Sequence, residues 1–244
     1  ATAAFLATVV LIRSTAVLPS GPPVRKPLVK VRPLLSPRIA AVEPQMIVRA
    51  PGAAVVLVGE QLLAAGSTSV EFTSGDATLL AAPAPGSSGS RLSVTLPNAL
   101  IAGPNVVRVV HTIGLGEPEV PHGGASSNAA VVVLRPRIKP KAGTSNPDLT
   151  VAGGQVTVKV DPLVAKDQQA ELLLGELGAP ANRLPRSFTL PSPSRAGAPT
   201  DTLQFPLGAV PAGTYLLRVR IDGAETELAT DATGAFVRPQ VTVA

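Results

Sequence analysis

From Arg38 onward the chain is a succession of short apolar runs, each closed by a cluster of Gly, Pro, Ser or Asn, and this rhythm restricts it to β-structure. The runs RIAAV (38–42), AAVVLVG (53–59), TSVEF (68–72), ATLLA (77–81), RLSVTL (91–96), PNVVRVVH (104–111) and AAVVVL (129–134) are strand-length and rich in Val. No window sustains a 3.6-residue apolar period with caps, so helices are expected to be minor. Seven short strands in about 100 residues, with turn signals between them, predict an immunoglobulin-like sandwich.

The second half follows the same grammar. In VTVKV (156–160) the three valines alternate with Thr157 and Lys159, as a half-buried strand requires. Further runs are QAELLLG (169–175), SFTL (187–190), DTLQFPL (201–207), TYLLRVRID (214–222) and AFVRPQVTV (235–243). The halves also match directly: AGPNVVRVV (102–110) aligns with AGTYLLRVR (212–220), and LRPRI (134–138) with VRPQV (237–241). The expected fold class is therefore all-β, with two tandem sandwiches at 36–137 and 138–244. Tyr215 is expected to have a structural role, since a Tyr entering the penultimate strand of such a sandwich commonly hydrogen-bonds the neighbouring corner.

Before Arg38 the pattern differs. ATAAFLATVVLI at the start is too short for a bilayer span, which takes about 20 apolar residues, and it lacks the charged region and cleavage pattern of a signal peptide. Its β-branched content reads as a strand, and residues 1–18 are expected to be the last strand of a preceding domain. Residues 19–35 form a Pro-rich basic linker, with Pro at 19, 22, 23, 27 and 33 favouring a semi-rigid extended arm. The net charge of +5 is located here: Arg13, Arg25, Lys26, Lys30, Arg32 and Arg38 precede the first acid, Glu43, so this segment carries +6 and the remainder −1 (+5 less +6). The arm residues Arg13, Arg25, Lys26, Lys30 and Arg32 are candidate contacts for an acidic protein surface.

Composition narrows the chemistry. With no Cys, disulfide frameworks, zinc-thiolate sites and thiol nucleophiles are excluded. Five Phe and one Tyr leave few rings for stacking on sugars or single-stranded nucleic acid, so no nucleic-acid partner is expected. GSSGS (86–90) and GLG (114–116) lack the helix starts that phosphate and dinucleotide sites need, and no G-x-S-x-G elbow occurs. Asp222, Glu225, Glu227 and Asp231 lie close in sequence but lack calcium-loop spacing, so a solvated hairpin is expected there. Both histidines fall in HTIGLGEPEVPHGGASSN (111–128), with Glu117 and Glu119. Eleven residues of Pro/Gly connection between His111 and His122 preorganise a metal poorly. The segment is expected to be a long loop between the last two strands of the first sandwich, with His111, Glu117, Glu119, His122 and Asn128 as candidate protein contacts. Neither catalytic activity nor a cofactor or metal is expected.

SPRIAAVEPQMIVRAPGAAVVLVGEQL and NVVRVVHTIGLGEPEVPHGGASSNAAVVVLRPRI resemble an IPT/TIG-type immunoglobulin-like domain. With FLATVVLIRS before them and VDPLVAKDQQAELLLGEL and LQFPLGAVPAGTYLLRVRIDGAETEL after them, the order of segments resembles the cap, or tail-terminator, proteins of extracellular contractile injection systems. The resemblance covers nearly all of the chain and implies a further domain before Ala1, which in that family sits on the tube and sheath end. It implies a structural component of a phage-tail-like particle that closes the non-baseplate end as an oligomeric, hexameric ring. The partners it implies are copies of the chain itself, the sheath, and the tube or tube-terminator proteins. Assembly is expected in the cytoplasm, with the particle then released or membrane-associated; membrane tethering has no support in the sequence itself. The alternative reading is a surface or secreted adhesion or ligand-binding module.

Overall fold

The computed structural model describes residues 36–64, 67–115 and 118–244, which fall within one compact unit. The expected first strand (1–18), the Pro-rich linker (19–35) and Glu117 lie outside the described residues.

Nine strands precede Pro136: β1 (Arg38–Glu43), β2 (Met46–Val48), β3 (Ala54–Glu60), β4 (Ser67–Ser74), β5 (Ala77–Ala81), β6 (Arg91–Thr95), β7 (Gly103–Leu115), β8 (Val120–Ser126) and β9 (Ala130–Arg135). Sheet β1-β3-β6 faces sheet β2-β9-β7-β4-β5, and β8 joins the latter beside β7. After Pro136 come β10 (Arg137–Ile138), β11 (Leu149–Ala152), β12 (Gln155–Val164), β13 (Ala170–Glu176), β14 (Ser187–Pro191), β15 (Thr200–Pro206), β16 (Gly213–Ile221), β17 (Ala224–Glu225), β18 (Ala229–Thr230), β19 (Phe236–Arg238) and β20 (Gln240–Val243). Here β12 lies between β15 on one side and β10 and β11 on the other, and faces a sheet in which β13 separates β14 from β16. No helix occurs among the described residues. The fold class is all-β, of immunoglobulin-like sandwich architecture.

Alternation decides which face is buried. Val55 and Leu57 on β3, and Leu92 and Val94 on β6, meet Val70 and Phe72 on β4, Val107 and Val109 on β7, and Val132 and Leu134 on β9. Each fully buried side chain of this size contributes about 1.5–3 kcal/mol relative to exposure. A second cluster is built from Val156, Val158 and Val160 on β12, Leu172 and Leu174 on β13, Leu203 and Phe205 on β15, and Leu217, Val219 and Ile221 on β16. At Gly59 the backbone of β1 comes so near, where its register slips between Ile39 and Ala41, that a Cβ would stand 1.9 Å from Arg38 O.

The internal repeat has a structural meaning. β7 and β16 begin at the aligned glycines, Gly103 and Gly213. Tyr215 is buried, its hydroxyl donates to Pro211 O at 2.8 Å, and Phe188 packs edge-on against its ring at 5.9 Å. The aligned residue in the first half is Asn105, also buried, whose Nδ2 donates to Ile101 O at 3.1 Å and Gly103 O at 3.0 Å. Both side chains bond a carbonyl four residues upstream. Ser74 Oγ completes the first corner by donating to Asn105 Oδ1 and accepting from Ile101 N. Each sandwich thus closes the same corner, one with a phenol and one with a carboxamide.

Two expectations need correction. Residues 111–115 and 120–126 are strand rather than loop: β7 runs 13 residues to Leu115 and β8 returns beside it, pairing Leu115 with Val120 and Ile113 with His122. The Gly and Pro content of β8 conceals a strand that is supported by its neighbour's ladder and buries little. The run AFVRPQVTV divides into β19 and β20 at Pro239, which has no N–H for a ladder. Both β8 and the short strands β2, β10, β11, β17 and β18 are absent from the sequence reading because none buries a long alternating face.

Two outcomes are expected. Asn105→Ala takes the side-chain donor from Ile101 O and the acceptor from the Ser74 hydroxyl, and urea denaturation should show a loss of about 2–3 kcal/mol, whereas Tyr215→Phe should lose about 1 kcal/mol. Glu176 accepts two bonds from Arg183 and one from Arg186 N, which hold its carboxyl down at about 2 against an ordinary 4.5. A depressed folded-state value gives stabilisation that is present above pH 4.5 and is lost as the pH falls towards 2. Thermal melts across this window should show a steeper acid decline in the wild type than in Glu176→Gln.

Candidate functional site

The candidate contact residues of segment 111–128 separate once their places in the hairpin are known. On β7, His111 follows Val107 and Val109 on the core side; it is only 4% exposed, and Nε2 lies 3.4 Å from Leu62 O. Facing a carbonyl, that nitrogen is the donor. His111 is therefore a core residue rather than a contact. Asn128 is committed to the fold: Oδ1 accepts from Ile39 N at 2.8 Å and Nδ2 donates to Ile39 O at 3.0 Å. Its amide occupies the free edge of β1 as a neighbouring strand would. Glu119 lies over Gly114, where a Cβ would stand 2.6 Å from Oε2. His122 is exposed on β8, and Leu115 and Val120 form an exposed apolar pair beyond it. The arm residues Arg13, Arg25, Lys26, Lys30 and Arg32, like Glu117, fall outside the described residues.

The acids near the C-terminal hairpin do not converge. Asp222 bonds Gln168 and Gln169, Glu225 bonds Arg218 at 2.7 Å, Glu227 pairs with Arg135, and Asp231 caps its own turn through Thr233 and Ala235. The Thr233 hydroxyl and neighbouring N–H groups hold the Asp231 carboxyl below its ordinary range. Among the described residues, no three His, Asp or Glu side chains are placed to share a metal.

A polar constellation lies instead in a seam between the sandwiches. Pro136 alone separates β9 from β10 and is buried. Ala102, at the start of the first repeat, is fully buried within the core cluster of the second sandwich. Its N–H donates to Leu163 O at 3.0 Å, and its carbonyl accepts from Gln168 Nε2 at 2.7 Å. Gln168 also donates to Asp222 Oδ2 at 2.8 Å and accepts from Ala165 N at 2.9 Å. Gly103 has φ +87°, a conformation that demands glycine, and a Cβ there would sit tightly, 3.3 Å from Gln168 Nε2 and 3.4 Å from Ile221 O.

Charge reinforces this contact. The Asp161 carboxylate, 16% exposed, receives Arg49 Nη1 at 3.2 Å and Arg137 Nε at 3.0 Å. Arg49 also donates to the carbonyls of Asn98 and Leu100. Arg135 pairs with Glu227 at the far end. Behind the seam, Arg195 holds the turn that carries Gln168 by donating to Ala165 O and Gln168 O. Burial lowers the Arg195 guanidinium from its ordinary range, an effect opposed by Asp222. None of Arg49, Ala102, Asp161 or Gln168 is marked as a contact by local sequence, since each pairs with residues from 24 to 112 positions away. The one available signal was the glycine of the AGPN repeat.

A protein-family model for a domain of unknown function (DUF8756) matches residues 136–242, the second sandwich with its entry strand. No curated protein matches the chain. Among solved structures, chicken CNTN1 FN1–FN3 domains are similar at 12% identity and a TM-score of 0.29, covering 79% of this chain and 62% of that one. The present chain thus spans less than two thirds of that structure.

Removing the Gln168 amide should uncouple the seam. Gln168→Ala leaves Ala102 O buried without a donor, at a cost of about 1–3 kcal/mol. Calorimetry should show one transition for the wild type and a broadened or divided one for Gln168→Ala; an identical single transition in both would contradict the seam's role.

Proposed function

We propose that the chain is a structural, non-enzymatic brace in a cap of an extracellular contractile injection system. The order and spacing of its segments supply the identification with that family. The observation that carries the mechanical reading is the seam, in which Ala102, Gln168, Asp161 and Arg49 tie two sandwiches together with buried hydrogen bonds and partly buried ion pairs. A pair of domains serving as independent binding modules needs no such connection, because inter-domain motion is the default where the interface is slight. A brace transmits force only if its parts move together.

In this reading, copies of the chain form a ring, hexameric by resemblance, at the non-baseplate end of the particle. The ring contacts sheath and tube or tube-terminator subunits and so stops subunit loss from the end. The accessible part of the hairpin, Leu115, Val120 and His122, is an apolar tip suited to a neighbouring subunit. The basic arm supplies a complementary electrostatic contact. Neither a cofactor nor a nucleic acid enters this mechanism. Assembly takes place in the cytoplasm, and the finished particle is released or held at a membrane.

Labelling the chain in native particles tests this reading by electron microscopy. Label is expected at the tail end opposite the baseplate, and the Leu115→Asp, Val120→Asp double variant should yield particles that lack it. Label at the baseplate would contradict the assignment. Label on cell surfaces without any tail would favour the adhesion alternative.

A further inference from the structure

A cleft of about 320 Å³ opens in the second sandwich between β10, the connection that follows it, and the β17–β19 region. Its apolar lining includes Ile138, Pro147 and Pro239, and Ser145 lines it as well. Arg137, Glu227 and Arg238 supply the charge around it. The pairing of these three is unequal. Glu227 is neutralised by Arg135 from the first sandwich, and Arg137 gives its Nε to Asp161, a carboxylate already shared with Arg49. The Arg238 side chain is exposed and makes no hydrogen bond or ion pair among the described residues, while its backbone pairs with Ala229 in the β18–β19 ladder. The cleft is therefore lined by Arg238, with its unpaired guanidinium, and by Arg137, whose Nη groups make no hydrogen bond among the described residues, together with proline and isoleucine.

We propose that this cleft binds an acidic, extended peptide segment of a partner protein. Arg238 and the Nη groups of Arg137 would grip a carboxylate, since guanidinium donors match the two oxygens of that group. The proline and isoleucine of the lining would receive the apolar face of the same segment. A nucleic-acid ligand fits less well, because the cleft offers no aromatic ring for a base to stack upon. Every lining residue lies between Arg137 and Pro239, inside the region matched by the family model. The proposal does not depend on the assembly in which the chain serves.

The probe is an acetylated, amidated tetraglutamate peptide titrated into the full chain, followed by amide resonances. Saturable binding should shift Ile138, Ser145 and Ala229, and Arg238→Glu should weaken it by about tenfold or more. Because the arm ahead of Glu43 is itself basic, the position of the shifts decides the outcome. Shifts confined to that arm, equal affinity in Arg238→Glu, or no saturation at about 1 mM peptide would each overturn the proposal. Tetralysine should leave the cleft resonances unmoved, and equal shifts with tetralysine would also overturn it.

Discussion

Ala102 is contributed by the first repeat but is buried in the core of the second, and its peptide groups are satisfied only when both sandwiches are present. Its N–H reaches Leu163 O and its carbonyl takes Gln168 Nε2. A buried backbone donor or acceptor left unpaired costs about 1–3 kcal/mol, so separating the sandwiches exposes apolar surface and also breaks the pairing of a chain segment that starts β7. The ion pairs of Asp161 and Glu227 are placed around that contact. Partly solvated pairs add little by themselves; their effect is to fix orientation about a contact already closed by burial.

The same residues connect fold to repeat. Gly103 and Gly213 open equivalent strands, and two residues later Asn105 and Tyr215 close equivalent corners with different chemistry. Tyr215 needs a ring-sized space, which Phe188 helps to fill. In the first sandwich the smaller Asn105 engages Ser74 and two carbonyls instead, while Ala102 and Gly103 turn towards the neighbouring domain. One corner is self-contained and the other is also a joint. The corner chemistry follows from the residues that differ between AGPNVV and AGTYLL, whereas the joint uses the shared Ala-Gly and follows from its partners Leu163 and Gln168.

Much of this fold was legible because long alternating strands advertise themselves. Val156, Val158 and Val160 could be placed in a core from period alone, and the role of Tyr215 followed from its position in the repeat. The hairpin was not legible, since Pro121, Gly123 and Gly124 read as loop residues although β7 supplies a ladder for them. Asn128 looked available because local sequence cannot show that Ile39 lies opposite. The seam was hidden for the same reason: Arg49 and Asp161 are ordinary charged residues until the topology brings them within 3.2 Å.

The central claim is that the two sandwiches are held as one body by the burial and hydrogen bonding of Ala102. Residual dipolar couplings of the full chain in a weakly aligning medium measure this directly, because each rigid body reports its own alignment. The account predicts a single alignment tensor, of one magnitude and one orientation, fitting the amides of both sandwiches together. Two tensors of different magnitude, one for the residues before Pro136 and one for those after it, would contradict it.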